Sequence, residues 1–204
     1  MFDWQALGYA HDWTFGVFTD AEPRQYFFMT VHPDGSFDIK EQTLNLFEQG
    51  EYDDCVAIFE EEKRSDERVR GIVRDDHGAI NVIRDTGWYT IPQIEQIQAE
   101  LSRGNTYLRG KTVRNELLSA CLDIKYITEE RCGYYFVGTI GNGMRTNVAR
   151  ASNIRKIEPY NDAPIFFDRL LPLMNVSFVR NGQLTIIPFP FKYLREHMKQ
   201  RVDN

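Results

Sequence analysis

Residues 68–85 read "RVRGIVRDDHGAINVIRD". Val69, Ile72 and Val73 precede the tetrapeptide DDHG, and Ile80, Val82 and Ile83 follow it. β-branched residues favour strands, and Asp, His and Gly between two such runs make a turn. The stretch predicts an antiparallel hairpin and therefore a sheet. The elements on either side have to be placed against that sheet.

Upstream, Gln25–Val31 and Ser36–Glu41 flank "HPDG". Pro33 presets φ for a turn and Gly35 tolerates positive φ, so a second hairpin is expected. Trp13 to Phe18 is a short aromatic strand. Between the hairpins lies "TLNLFEQGEYDDCVAIFEEEKR" (Thr43 to Arg64). Thr43 can cap a helix, and Leu44, Phe47, Val56 and Phe59 give two short amphipathic helices around Gly50. With Gly50, Tyr52 and Phe59, the fragment resembles half of a tetratricopeptide-type helical pair. It occurs once, and such repeats need neighbours to bury their faces. A helix pair packed on the sheet is the expectation.

Downstream, "YTIPQIEQIQAEL" places Ile91, Ile94, Ile97 and Leu101 on one helical face, and "RGNTYLRG" breaks the pattern with two glycines. A boundary is set there, dividing an acidic α/β portion, 1–104, from a basic helix-plus-hairpins portion, 105–204. In the second portion Val113, Leu117, Leu118, Cys121 and Leu122 share a helical face, and "KYIT" and "GYYFVG" read as two strands. Helix then hairpin is the closing pattern of a winged-helix module. "VSFVRNGQLTIIPFPF" carries Asn-Gly between β-rich arms, a strong hairpin signal. Pro188 and Pro190 are expected to end its second arm, and "KYLREHMKQ" to form a polar terminal helix. The fold class expected is α+β: an acidic sheet-and-helix portion, then a basic winged-helix-like portion with β-hairpins.

Charge points to function. The 204 residues carry a net charge of −6. Residues 1–102 hold 21 acids and 8 bases, and residues 103–204 hold 9 acids and 16 bases. Asymmetry between halves points to nucleic acid, an anionic surface, or contact between the halves. The basic half is densest in "GTIGNGMRTNVARASNIRKIEP" (Gly138 to Pro159). From Arg131 to Ile157 there are five bases, Arg131, Arg145, Arg150, Arg155 and Lys156, and no acid. Gly138, Gly141 and Gly143 allow backbone to approach phosphate, as a wing or clamp loop must. Tyr134 and Tyr135 supply rings that stack on bases. These residues are the candidate nucleic-acid contacts. The reading is a non-catalytic, DNA-binding component of a larger assembly, with a protein partner on the acidic half and no cofactor. The bland counterpart is a basic face that pairs with the acidic half.

Two other classes compete. A Mg²⁺-dependent nuclease needs clustered carboxylates. A restriction-type pattern is offered by Asp34, Asp38 and Lys40, and a ribonuclease-H-like one by Asp20, Glu48 and Asp85. A structural protein-interaction subunit is the third reading. Covalent catalysis has weak support: no Ser or Cys sits in a nucleophile elbow, and the four histidines (His11, His32, His77, His197) are scattered. His32 and His77 read as exposed turn residues. Three cysteines (Cys55, Cys121, Cys132) without CxxC spacing suit a reduced, cytoplasmic chain. No apolar run approaches membrane-spanning length, and the opening MFDWQALGYAHDW lacks the pattern of a secretory signal.

Overall fold

The structure, a computed structural model, describes residues 11–20, 23–43, 49–90, 106–108, 124–127, 132–140, 151–162, 170, 173–174, 179–180, 183–184 and 189–202. The fold is α+β and mostly β. The chain forms two compact units. Unit 1 comprises residues 1–84, 159–165 and 190–204, and unit 2 comprises residues 85–158 and 166–189. The division falls at Arg84 and Asp85, and the C-terminal segment returns to unit 1. Gly104 lies outside the described residues. By unit, the sequence places 21 acids and 12 bases in unit 1, net −9, and 9 acids and 12 bases in unit 2, net +3.

Unit 1 holds β1 (Trp13–Phe18), β2 (Gln25–Val31), β3 (Phe37–Thr43), α1 (Asp53–Ser65), β4 (Val69–Asp75) and the start of β5 (Ile80–Thr90). Its strands run in the order β3-β2-β1-β4-β5, with every neighbouring pair antiparallel. Both expected hairpins are present, with Val31 opposite Phe37 and Arg74 opposite Ile80. A bulge falls between Val69 and Gly71.

This sheet is covered on both faces, which explains its continuous apolar runs. Tyr26, Phe27, Phe28 and Met29 are all fully buried. Successive strand residues point to opposite faces. On one face, Tyr26, Phe28, Ile72, Ile80 and Val82 pack with Tyr52, Cys55, Val56 and Phe59 of α1 and the loop before it. On the other, Phe15 meets Phe191 edge-on at 5.4 Å, and the ring of His197 lies against Phe27 at 6.0 Å. Those two residues belong to the terminal helix α2 (Phe189–Val202).

α2 differs from the expected polar helix. It starts at Phe189, and Phe191 and Leu194 are buried. Pro190 sits in its first turn, where a missing N–H costs nothing. α1 covers the second of the two expected helices. Residues 44–48, the first of them, lie outside the described residues. Asp53 and Asp54 open α1, and Lys63 and Arg64 close it, as its dipole favours.

Unit 2 contains the rest of β5, β6 (Thr106–Leu108), β7 (Ile124–Ile127), β8 (Cys132–Ile140) and β9 (Ala151–Pro159, to Glu158). β9, β8, β7 and β6 are neighbours in that order, with β5 beside β9. β7 and β8 are the two strands expected around the charged turn, with Ile127 opposite Cys132. β9 was not expected. Arg155 and Lys156 interrupt the apolar pattern of its stretch, yet it pairs along β8. β5 also runs on through Gly87–Thr90, where a helix approach was expected. Both 91–101 and the winged-helix candidate 113–122 lie outside the described residues. β10 (Val179–Arg180) and β11 (Gln183–Leu184) form the small hairpin around Asn181-Gly182, with Arg180 opposite Gln183.

Candidate functional site

Four of the seven candidate nucleic-acid contacts fall on the β8–β9 pair of unit 2. Tyr134 stands opposite Lys156, and Tyr135 opposite Arg155. Two aromatic and two basic residues that are far apart in sequence thus become cross-strand neighbours. Arg131, Arg145 and Arg150 lie outside the described residues.

The two described bases are not simply solvated. Arg155 Nε donates to Asp85 Oδ1 at 2.9 Å, joining the neighbouring strands β5 and β9. Both side chains are mostly buried. Arg155, read from the sequence as a phosphate contact, is thus engaged within the sheet. Lys156 Nζ lies 2.9 Å from Glu158 Oε2, two residues along the same strand. Ile157 between them is fully buried, opposite Gly133.

The carboxylates proposed for nuclease chemistry are held in other arrangements. Asp85 faces Arg155. Asp34 accepts from the backbone N–H and the hydroxyl of Ser36 at 2.9 and 2.6 Å, closing the β2–β3 turn. Asp38 accepts from His32, and Lys40 pairs with Glu51. Glu48 lies outside the described residues, and Asp20 is exposed.

The acids of α1 are answered from within unit 1. Arg24 reaches Glu60 through a forked contact at 2.8 and 2.9 Å, and Tyr26 OH also donates to Glu60. Burial, joined by Glu60, pushes the Tyr26 hydroxyl well above its usual range. Arg74 makes the same kind of forked contact with Asp54, and its guanidinium lies over the ring of Tyr52. Arg84 bridges Glu62 and Asp66. A hydrogen bond from Arg68, outweighing the opposing effect of burial, holds the Asp66 carboxyl down at about 2. Cys55 is buried in this layer and burial pushes its thiol up to about 12, so it carries no thiolate for catalysis.

One end of the unit 1 sheet gathers what the sequence scatters. The start of β1, the end of β2 and the end of β4 coincide, since Trp13 stands opposite both Val31 and Asp75. His11, His32 and His77 flank those positions. His32 lies between two carboxylates, with Nδ1 3.0 Å from Asp12 and Nε2 3.0 Å from Asp38. His11 Nδ1 lies 2.7 Å from Asp76, His77 Nε2 lies 3.6 Å from it, and the two rings are 5.0 Å apart. Three of the four histidines therefore sit at one edge, engaged with acids. His77 is the exposed turn residue that was expected, whereas His32 is partly covered and held between Asp12 and Asp38. The signal was the pairing of each His with an adjacent or nearby Asp, but only the register reveals it.

His32 gives a pH dependence with a definite sign. The hydrogen bonds to Asp38 and then Asp12 raise its pKa above 6.5. A raised histidine pKa stabilises the folded chain fully below the unfolded value. That stabilisation is lost as pH rises from about 6.5 through the folded value. Asp38 is well exposed, so the effect is expected to stay under about 1 kcal/mol. Chemical denaturation of the wild type at pH 6 and pH 8.5 should show the loss, and His32→Asn should abolish the difference. Equal pH slopes for the two proteins would rule this assignment out.

No family model matches the chain, and no curated protein is significantly similar to it. Among the described residues no helix is long and apolar enough to cross a membrane.

Proposed function

We propose that the chain is a nucleic-acid-binding, non-catalytic component of a larger assembly, and that the β8–β9 region of unit 2 meets the polymer. The observation that carries this reading is the register, which sets Tyr134 opposite Lys156 on one face of the sheet; the next pair, Tyr135 and Arg155, belongs to the other face. Stacking rings beside cations are what a phosphate-and-base surface requires. Arg145 and Arg150 lie in the segment joining these strands and extend the positive charge. The net +3 of unit 2 favours an anionic polymer, and the net −9 of unit 1 suits a protein partner. The winged-helix arrangement, with residues 113–122 as the helix and the hairpin as the wing, belongs to this proposal. So do the preference for DNA and the cytoplasmic placement.

A second reading has one specific observation behind it. Arg155 is satisfied by Asp85 and Lys156 by Glu158, as in a basic face neutralised internally. That suits a structural protein-interaction subunit. A Mg²⁺-dependent nuclease draws the least support, because Asp85 faces a guanidinium.

The experiment is binding to labelled DNA and RNA at several salt concentrations, comparing the wild type with the double variant Arg145→Ala, Arg150→Ala. Arg155 is left in place because its removal would take the guanidinium from a mostly buried Asp85. The wild type is expected to bind DNA more tightly than RNA, with affinity falling steeply as salt rises. The double variant should flatten that dependence by about one unit of slope per lost contact, for all sequences alike. If the wild type binds neither polymer at low salt, or the variant keeps the same affinity and slope, the proposal fails and the structural reading replaces it.

A further inference from the structure

We infer that His11, Asp76 and His77 form a binding site for one divalent transition-metal ion of the zinc class. Each residue offers one ligand atom, and the three atoms lie within 4.8 Å of one another. His11 comes from before β1, and Asp76 and His77 come from the β4–β5 turn, 65 and more residues later. A salt bridge needs one imidazole. Here two converge on one carboxylate, with ring centroids 5.0 Å apart and planes inclined at 57°.

The scaffold beneath these side chains is fixed. Asp75 is buried, and its Oδ1 accepts the backbone N–H of His77 at 3.0 Å and of Ala79 at 2.8 Å. The backbone of the same turn closes on itself: Gly78 N–H donates to Asp75 O, and Asp75 N–H donates to Ala79 O. Gly78 takes φ of 84°, which glycine adopts without strain. On the other side, Trp13 is buried and stands opposite Asp75, which ties the segment carrying His11 to the turn. Ligands borne by a rigid turn and a strand end hold their spacing without the ion.

Ligands about 2.0–2.2 Å from a tetrahedral zinc ion lie roughly 3.3–3.6 Å apart. The largest separation therefore has to close by about 1 Å, a side-chain adjustment for the exposed His77 and half-buried His11. Two nitrogens and one oxygen suit Zn²⁺, Ni²⁺, Co²⁺ or Cu²⁺. The hard ions Mg²⁺ and Ca²⁺ prefer all-oxygen sites. Among the described residues three ligands are supplied, and His77 is well exposed, so a coordination position on its side is open to solvent. A bound ion would carry water there, exchangeable for an anionic or nitrogenous ligand.

The test is calorimetric titration of the full, untagged, chelator-treated chain with Zn²⁺, with Mg²⁺ as the control. The expected result is one equivalent of Zn²⁺ bound in the micromolar range and no Mg²⁺ bound. His11→Ala and His77→Ala should each weaken Zn²⁺ binding by at least about tenfold. His197→Ala, which alters the one histidine away from this edge, should leave it unchanged. Perturbation of the His11 and His77 imidazole resonances on adding Zn²⁺ gives a second readout. Affinity weaker than about 100 μM would overturn the site. So would binding that survives both the His11 and His77 substitutions, because that ion would be held elsewhere.

Discussion

Replacing Phe59 with alanine is expected to destabilise the protein by about 3–5 kcal/mol, the upper range for truncating a single buried side chain. Phe59 is only 2% exposed at the centre of the layer between α1 and the unit 1 sheet. Its ring meets Phe18 edge-on at 4.8 Å and lies 5.9 Å from Tyr26. Both neighbours are anchored. Tyr26 is fixed by its hydrogen bond to Glu60, and Phe18 carries the Arg24 and Lys63 cations over its ring. Neighbours held that way cannot collapse into the space a phenyl ring leaves. The transfer loss and the cavity therefore add. Domains of this size are stable by only about 5–15 kcal/mol, so the variant should lose a large share of its folded population margin. Phe59→Leu, which keeps most of the volume, should cost no more than about 1.5 kcal/mol. Urea denaturation of the three proteins measures both values. An alanine variant within about 1.5 kcal/mol of wild type would show that α1 does not cover the sheet as described.

Phe59 also shows what was legible in the sequence. Its helical spacing from Val56 placed it on the face of a helix that packs on a sheet. The sheet was signalled locally by HPDG and DDHG, because turn chemistry depends on a few adjacent residues. Asn181-Gly182 gave β10 and β11 for the same reason. Where the information is carried by distant partners, the sequence was silent. β9 has Ile154 and Ile157 separated by two charges, an i, i+3 spacing that suits a helical face better than strand alternation. Its strand character comes from pairing with β8. α2 hid its apolar side, because the prolines beside Phe189 and Phe191 read as the end of a strand. A proline in a helix's first turn fits both readings until the sheet that receives Phe191 and Leu194 is known.

The sites follow the same rule. The positive stretch from Arg131 to Lys156 was visible as composition, which needs no fold. That Arg155 faces Asp85 was not visible, because β5 and β9 become neighbours only in the sheet. The three histidines at one edge were unreadable for the same reason. His11, His32 and His77 belong to three different loops, and only the coincidence of strand ends in an antiparallel register brings them together.

Gly16→Ala should cost about 1–2 kcal/mol, although alanine only replaces a hydrogen with a methyl group and usually suits a folded chain better than glycine. Gly16 lies on β1, the central strand of unit 1, directly opposite Phe28 on one side and Ile72 on the other. A Cβ there would sit 2.7 Å from Phe28 Cε1 and 2.8 Å from Ile72 Cγ2. Neither neighbour has room to give. Phe28 is fully buried and stacked on the ring of Tyr52 at 4.4 Å, and Ile72 is buried and β-branched. Fitting one methyl group therefore means moving two packed side chains of the layer under α1, and overpacking of this kind costs about 1–3 kcal/mol. The entropy removed from the unfolded chain returns only about 0.4–1 kcal/mol, so the clash wins. Gly71→Ala is the control in the next strand, since its Cβ would have 3.2 Å to the nearest atom, and its cost should be smaller. Gly16→Ala combined with Phe28→Leu should lose less than the two single changes added together, because the smaller side chain vacates the space the methyl group needs. Urea denaturation of the four variants gives the coupling. Additive losses, or a Gly16→Ala variant as stable as wild type, would mean that Phe28 does not lie over Gly16.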